Sequence, residues 1–254
     1  MGMTNLVLDD RTAVVTGASS GIGAATALAL AAGGAKVALF ARRGDRLAEL
    51  ADKITADGGR ALAVEVDVTS AESVAAGGAA VREAFGRVDL VVNNAGVMLA
   101  APIADVRSDD WARMVDLNVT GALRVIGEFT SDLVAVAAGG GTADLVDISS
   151  VGAHAVFADY AVYCATKAAV THLSANLRVE LGPKDVRVTN VEPGFVESEL
   201  LTHLDRGAAE EVESWIGVAG RLAAEEVADV VAYAVSRARH VNLRQIVVMP
   251  TRQV

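Results

Sequence analysis

Thr12-Ala13-Val14-Val15-Thr16-Gly17-Ala18-Ser19-Ser20-Gly21-Ile22-Gly23 is the stretch that decides the fold. Its first five residues form a short β-branched and apolar run of strand length, and they lead directly into glycines spaced Gly-x-x-x-Gly-x-Gly. An alanine-rich segment of helical character, 24–32, follows. A strand that turns through glycines into a helix presents the unpaired N–H groups of the helix N-terminus to an anion. Gly17 allows the tight turn, Gly21 lets the backbone approach a pyrophosphate, and Gly23 permits close packing of helix on strand. Ser19 and Ser20 add hydroxyl donors, and the pattern points to a bound dinucleotide.

The same alternation runs outward through the chain. Apolar runs at 36–40, 61–66, 88–93, 143–149, 186–191 and 245–249 bring the expected strands to seven, and Ala-, Leu- and Glu-rich segments at 71–85, 109–136, 161–181 and 224–236 have helical length. Strand and helix alternate, and the strand runs lack polar alternation, so both faces of each strand should be buried. The expected fold is α/β, a doubly wound parallel sheet of seven strands with helices on both faces. The stretch 195–222 has no strand and is the natural lid. It mixes Phe195, Leu200, Leu201, Leu204 and Trp215 with glutamates, and its shortage of basic residues favours a hydrophobic mouth over an anion clamp.

Composition sets the outer bounds. With 254 residues, 52% hydrophobic and 21% charged, the chain can close one core over 1–254, which excludes a disordered or disulfide-stapled protein. A net charge of −10 without any Lys/Arg-rich run opposes nucleic acid and anionic membranes as partners. The single cysteine, Cys164, forms no internal disulfide and no thiolate cluster, which suits a reducing, cytoplasmic setting. The first ten residues lack a basic-then-apolar leader, so secretion is not expected. The four histidines, His154, His172, His203 and His240, have no paired ligand spacing, and no metal is expected.

The end of the second strand bears on the cofactor. An acidic residue about 20 positions past the glycines holds the ribose diol of NAD. Here Ala41 stands in that place, followed by Arg42 and Arg43, whose guanidinium groups suit a 2′-phosphate with no carboxylate to repel it, so NADP(H) is expected. Asp67, ending the third strand, can accept from the adenine amino group or cap the next helix. No Gly-Lys-Ser/Thr closes the glycine turn, which excludes a phosphate-loop hydrolase.

The glycine turn, Asn93-Asn94-Ala95-Gly96 after the fourth strand, and Tyr163-x-x-x-Lys167 occur in the order and spacing of the short-chain dehydrogenase/reductase family, which the chain resembles over essentially its whole length. The resemblance implies a Rossmann-type fold and a catalytic tetrad of Asn118, Ser150, Tyr163 and Lys167. It implies cofactor contacts from Ile22, Val68, Asn94, Ala95 and Gly96, and from Pro193, Gly194, Val196 and Ser198 in a Pro-Gly loop. Hydride transfer to a carbonyl carbon leaves an alkoxide that needs a proton, and Tyr163 is the expected donor. Lys167, one helical turn on, would stabilise the phenolate and hold the nicotinamide ribose. Ser150 is preferred to Ser149 as the group that places the substrate oxygen, since resembling members keep this spacing to the tyrosine and Val151-Gly152 follows. Asn118 is expected to kink its helix and bind a water that relays protons to Lys167.

Tyr160 is expected in the pocket wall, Cys164 as a small helix residue, and His154 and His203 as ordinary histidines or substrate contacts. The Arg pair, the Glu192-Pro193-Gly194 loop and a C-terminus without the usual Gly-Gly resemble the NADP-dependent branch that includes clavulanate-aldehyde reductase and bacterial hydroxy-acid dehydrogenases. The expectation is reversible, NADPH-dependent reduction of a small ketone or aldehyde. The alternative, a non-catalytic redox regulator of the same fold, has no need of an intact tetrad. On the helix 161–181, Tyr163, Lys167, Val170, Ser174, Leu177 and Leu181 should face the sheet, leaving a small, uncharged outer face. With Val119, Ala122, Val125 and Ile126 of the preceding helix, that face suggests a four-helix seam and a homotetramer, or else a dimer.

Overall fold

Successive residues of a strand point to opposite faces of its sheet, and in the central strands both sets are apolar, so helices must cover both sides. The computed structural model describes residues 8–197, 199 and 206–253 and has this layout. Strands β1 (Thr12–Thr16), β2 (Lys36–Ala41), β3 (Arg60–Glu65), β4 (Leu90–Asn93), β5 (Ala143–Ile148), β6 (Val186–Pro193) and β7 (Gln245–Val248) form one parallel sheet in the order β3-β2-β1-β4-β5-β6-β7. The helices are α1 (Gly21–Ala32), α2 (Gly44–Ala56), α3 (Ala71–Phe85), α4 (Ser108–Val115), α5 (Ala122–Ala138), α6 (Ala161–Leu181), α7 (Arg206–Ala219) and α8 (Ala224–Val235). Val15, Leu39, Val92 and Val146 pack with Leu30, Leu47 and Val231 of α1, α2 and α8. Their neighbours Val14, Phe40, Val91 and Leu145 pack on the other face with Val74, Phe129 and Leu181 of α3, α5 and α6. The chain therefore forms a Rossmann-type, doubly wound sheet.

Several expectations need correction. The edge strands β3 and β7 are half-exposed rather than buried on both faces, because each has a neighbour on one side only. The single helix expected at 109–136 is interrupted: α4 and α5 are joined by a π-helical segment, Asp116–Gly121. Helix α7 lies inside the stretch assigned to the lid, and α2 has no counterpart in the sequence reading. On α6 the inward stripe is as expected, with Tyr163, Lys167, Val170, Ser174 and Leu181 buried, while Ala165, Ala169, His172 and Asn176 are exposed on the single chain. On α5, however, Val125 and Ile126 are only 0% and 7% exposed and belong to the subunit's own core, so they cannot supply a seam. Leu123 is the exposed apolar residue there.

Strand order reverses between β1 and β4, and at such a switch point the loops diverge to leave a crevice beyond the carboxyl ends of the strands. Among the described residues no helix is long and apolar enough to cross a membrane.

Candidate active site

The crevice begins at the glycine turn. Gly17 has φ +66°, a conformation that a side chain strains. A Cβ at Gly23 would lie 2.3 Å from Gly17 O and 2.5 Å from Asn94 Nδ2, so the helix can approach the turn only without one. The Asn94 Nδ2 donates to Thr16 O at 2.9 Å, and Thr16 Oγ1 accepts from the backbone N–H groups of Asn94 and Ala95, both at 3.0 Å. The Asn-Asn-Ala-Gly motif thus pins the turn from the neighbouring strand. Ser20 is the N-cap of α1 but makes no side-chain capping bond, and no acidic residue occupies the first helical turn. The amides there stay available to a phosphate.

At the β2 end of the crevice, Arg43 donates from Nε and Nη2 to Ser19 Oγ at 3.0 and 2.8 Å, and from Nη2 to Ser20 Oγ at 2.8 Å. Its Nη1 donates to Glu199 at 2.7 Å, and Arg46 Nη1 donates to the other oxygen of Glu199 at 2.5 Å. These bonds from Arg43 and Arg46 hold the Glu199 carboxyl down to about 2. A carboxylate therefore does stand at the arginine that was expected to be clear of one. It comes from the loop after β6, far from the glycines in sequence, and occupies part of the donor set that a 2′-phosphate needs. Burial opposes charge on Asp67, but the Thr69 hydroxyl and amide, with Arg42 and Arg124, outweigh it and keep its carboxyl below the ordinary range. Helix α3 is capped by Ser70, not Asp67.

Beyond β5 the crevice holds Tyr163, Ser150 and Lys167. Residues four apart on a helix share a face, which brings Lys167 Nζ to 5.9 Å from the centroid of the Tyr163 ring. Ser150 hydrogen-bonds the Tyr163 hydroxyl, and its Oγ accepts from Gly152 N at 3.0 Å. Ser149 instead donates to Lys167 O at 2.9 Å and is committed to the backbone of α6. Burial pushes the Tyr163 hydroxyl up to about 12 despite the Ser150 bond, so the phenol holds its proton firmly in the protein alone. In the chain alone Lys167 Nζ donates to Ile148 O at 2.9 Å, and burial rather than the lysine sets the Tyr163 shift. Burial lowers Lys167 to about 8, and buried Asp147 partly opposes that shift.

Asn118 lies within the π-helical segment, as a kinking residue should, and its side chain bridges two other segments. Oδ1 accepts from Val97 N at 2.8 Å, and Nδ2 donates to Val97 O at 2.9 Å and Thr166 Oγ1 at 3.0 Å. These bonds clamp the strand β4 loop to α6, and Asn118 does not line the crevice.

The cavity itself is about 470 Å³. It is lined by Gly17, Ser19, Ser20, Gly21 and Ile22 of the turn, by Arg42, Arg43, Asp67 and Val68, and by Asn94, Ala95 and Gly96. Ser150, Tyr163, Lys167, Pro193, Gly194 and Val196 complete the expected set on its walls. Gly23 lies behind the turn, and Ser198 falls outside the described residues, as do Leu200, Leu201, His203 and Leu204. Tyr160 lines the cavity, whereas His154 sits outside it with Nε2 3.0 Å from the buried Glu192 carboxylate. Sequence reasoning missed Phe157, which lines the cavity beside Tyr160, and Gln253, whose Oε1 accepts from Phe195 N at 2.8 Å and props the Pro-Gly loop. Val196 bridges to Leu222, which ties together the two ends of the stretch 195–222. Among the described residues, no group of three His, Cys, Asp or Glu could hold a metal.

A cradle that Cβ atoms would fill, an uncapped helix N-terminus and a pair of arginines together define a dinucleotide-binding α/β protein. The profile of the short chain dehydrogenase family matches residues 11–209, and the chain belongs to that family, whose members are NAD(P)H-dependent oxidoreductases acting on carbonyl and alcohol groups. It is 35% identical over 245 residues to an uncharacterized oxidoreductase of Staphylococcus saprophyticus, covering 96% of this chain and 98% of the relative. Among solved structures it is similar to a short-chain type dehydrogenase/reductase from Mycobacterium marinum, at 30% identity and TM-score 0.88, covering 98% of this chain and 97% of the other. It is also similar to an alcohol dehydrogenase from the archaeon Thermococcus sibiricus complexed with 5-hydroxy-NADP, at 28% identity and TM-score 0.84, covering 96% and 98%.

Proposed function

We propose that the protein is an NADP(H)-dependent carbonyl reductase, reversible as an alcohol dehydrogenase, with Tyr163 as the proton donor. The observation that carries this reading is the buried Tyr163 hydroxyl, bonded to Ser150 and sharing a helix face with Lys167 inside the cavity. The α1 N-terminus and the Gly17–Gly23 turn would hold the pyrophosphate, Arg42 and Arg43 the 2′-phosphate, and Lys167 with the Pro193-Gly194 loop the nicotinamide end. When bound, the nicotinamide supplies or accepts the hydride. Ser150 donates to the substrate oxygen and aligns it on Tyr163, which gives up its proton as the oxygen gains charge. The Lys167 ammonium stabilises the phenolate left behind, and Asp147 beneath it favours the charged lysine. Asn118 acts by positioning, through Val97 and Thr166.

NADP(H) is the preferred cofactor on this reading, because Ala41 removes the ribose-binding carboxylate and Arg43 already gathers Ser19 and Ser20 around the 2′-phosphate position. The chain works as one catalytic unit over 1–254 with a lid at 195–222, in the cytoplasm, and as a homotetramer, or a dimer, through the exposed small-residue face of α6. Within the family it sits in the NADP-dependent branch that resembles clavulanate-aldehyde reductase, supported by the Arg pair and the Glu192-Pro193-Gly194 loop. NADPH oxidation followed at 340 nm, over aldehydes, ketones and β-keto thioesters, tests the reading. Carbonyl-dependent oxidation is expected, and its absence across all three classes, with NADPH still bound, would remove the enzyme assignment.

A further inference from the structure

The chain is poor in aromatic residues, 4% of its length, yet six of them, Trp111, Phe157, Tyr160, Tyr163, Phe195 and Trp215, gather in one cluster at the Tyr163 end of the cavity. Trp215 of α7 is the centre of that wall. Its ring centroid lies 5.8 Å from Phe157 at 31° between planes, and 6.5 Å from Phe195 at 28°. Tyr160 stands 6.1 Å from it at 51°. These residues come from three separate segments, the loop after β5, the loop after β6 and the lid helix, which converge only in the fold. Phe157, Phe195 and Trp215 are all half-buried, so apolar ring surface remains for another molecule to cover.

Charge is distributed the other way. Among the described residues lining the cavity, Arg42, Arg43, Asp67 and Glu199 stand at the glycine-turn end, bound to or facing Ser19, Ser20 and Thr69. Lys167 is the remaining charged residue on the cavity lining, and its Nζ donates to Ile148 O. A carboxylate placed on the wall would lose its water without gaining a partner there, which is strongly unfavourable. A flat ring, by contrast, finds partly exposed rings inclined to one another at 28° and 31° on which it can lie in offset or tilted contact.

We infer that the substrate is a neutral carbonyl compound with an aryl ring on or next to the carbonyl carbon, the ring lying on the Trp215–Phe157–Phe195 wall while the oxygen meets Tyr163 and Ser150. The inference rests on the carbonyl-reductase reading for its oxygen end and on the aromatic wall for its ring end. It disfavours keto acids, sugar acids and short aliphatic ketones.

Matched compounds separate these elements. Acetophenone, cyclohexyl methyl ketone and benzoylformate share a size but differ in flatness or in charge, and 2-butanone lacks the ring. Steady-state kcat/KM with NADPH is expected to favour acetophenone over benzoylformate by at least about tenfold. Trp215→Leu should lower kcat/KM for acetophenone about tenfold and that for 2-butanone less than about twofold, a comparison in which the ketones' intrinsic reactivities cancel. Phe157→Leu, with unaltered NADPH affinity as its folding check, should act in the same direction. A preference for benzoylformate, or an equal loss for both ketones in both variants, overturns the inference while leaving carbonyl reduction intact. Quenching of tryptophan fluorescence by acetophenone in the NADP+-loaded protein, lost in Trp215→Leu, supports the wall even where no carbonyl is turned over. In that case it is the reductase reading that fails.

Discussion

Replacing Asn118 by leucine tests how the π-helical segment supports the site. The side chain is 3% exposed, and leucine keeps its branched skeleton of the same number of heavy atoms, so the change removes hydrogen bonds without opening a cavity. Thr166 Oγ1 keeps its bond to Tyr163 O at 2.7 Å. Val97 N–H and C=O, in a residue only 2% exposed, lose the Asn118 amide that satisfies both. Each buried group left unsatisfied costs about 1–3 kcal/mol, which places the loss near 4 kcal/mol. With a urea m-value of about 3 kcal/mol/M, the unfolding midpoint should fall by about 1.3 M, measured at fixed protein concentration and without cofactor. Because Thr166 lies between Tyr163 and Lys167 on α6, the reductive kcat should also fall about tenfold as the two groups lose register. A midpoint shift under about 0.3 M would refute the reasoning, since it would mean that the clamp on Val97 is dispensable.

Two further outcomes concern the cofactor and pH. Arg43→Leu should weaken NADPH binding about tenfold, the low end for a charge-assisted bond because the side chain is half-exposed, and leave NADH within about twofold; Glu199→Gln should shift preference toward NADPH by releasing Arg43. Equal losses for both cofactors by isothermal titration would contradict the placement of the 2′-phosphate. Lys167, lowered by burial to about 8, is charged below that pH and neutral above it, whereas Tyr163 keeps its proton to about 12. Reductive kcat/KM should therefore fall as pH rises above about 8, and the fall should vanish in Lys167→Arg; a flat wild-type profile from pH 7 to 10 would oppose this role for the lysine.

Much of this molecule is written locally. β1 and β4 are short, largely apolar runs ending at turn residues, β5 and β6 keep enough apolar and β-branched residues around Asp144, Asp147, Arg187 and Glu192 to be read as strands, and α3 and α6 start and stop where capping and composition change, so their bounds are legible to within a residue or two. α2 was missed although Leu47, Leu50, Ala51 and Ile54 recur at helical spacing and pack on the core. The site divides in the same way. Tyr163 and Lys167 are four residues apart on one helix, and the glycine turn is contiguous, so both can be read directly. What joins distant segments cannot be. Glu199 meets Arg43 across 156 positions and Gln253 meets Phe195 across 58, and neither pair carries a local pattern. Phe157 and Trp215 were equally illegible as a wall, since only the packing of the lid helix on the loop after β5 brings their rings together.

The central claim is that the Tyr163 hydroxyl is the proton donor. Tyr163→Phe keeps the ring, its packing and the bulk of α6, and removes only the oxygen. Carbonyl reduction by this variant should fall about 100-fold to 10,000-fold in kcat/KM, the range for loss of a general acid, while the Kd for NADPH measured by fluorescence stays within about twofold. Retention of more than about a tenth of the wild-type rate, with the cofactor still bound, would contradict the account.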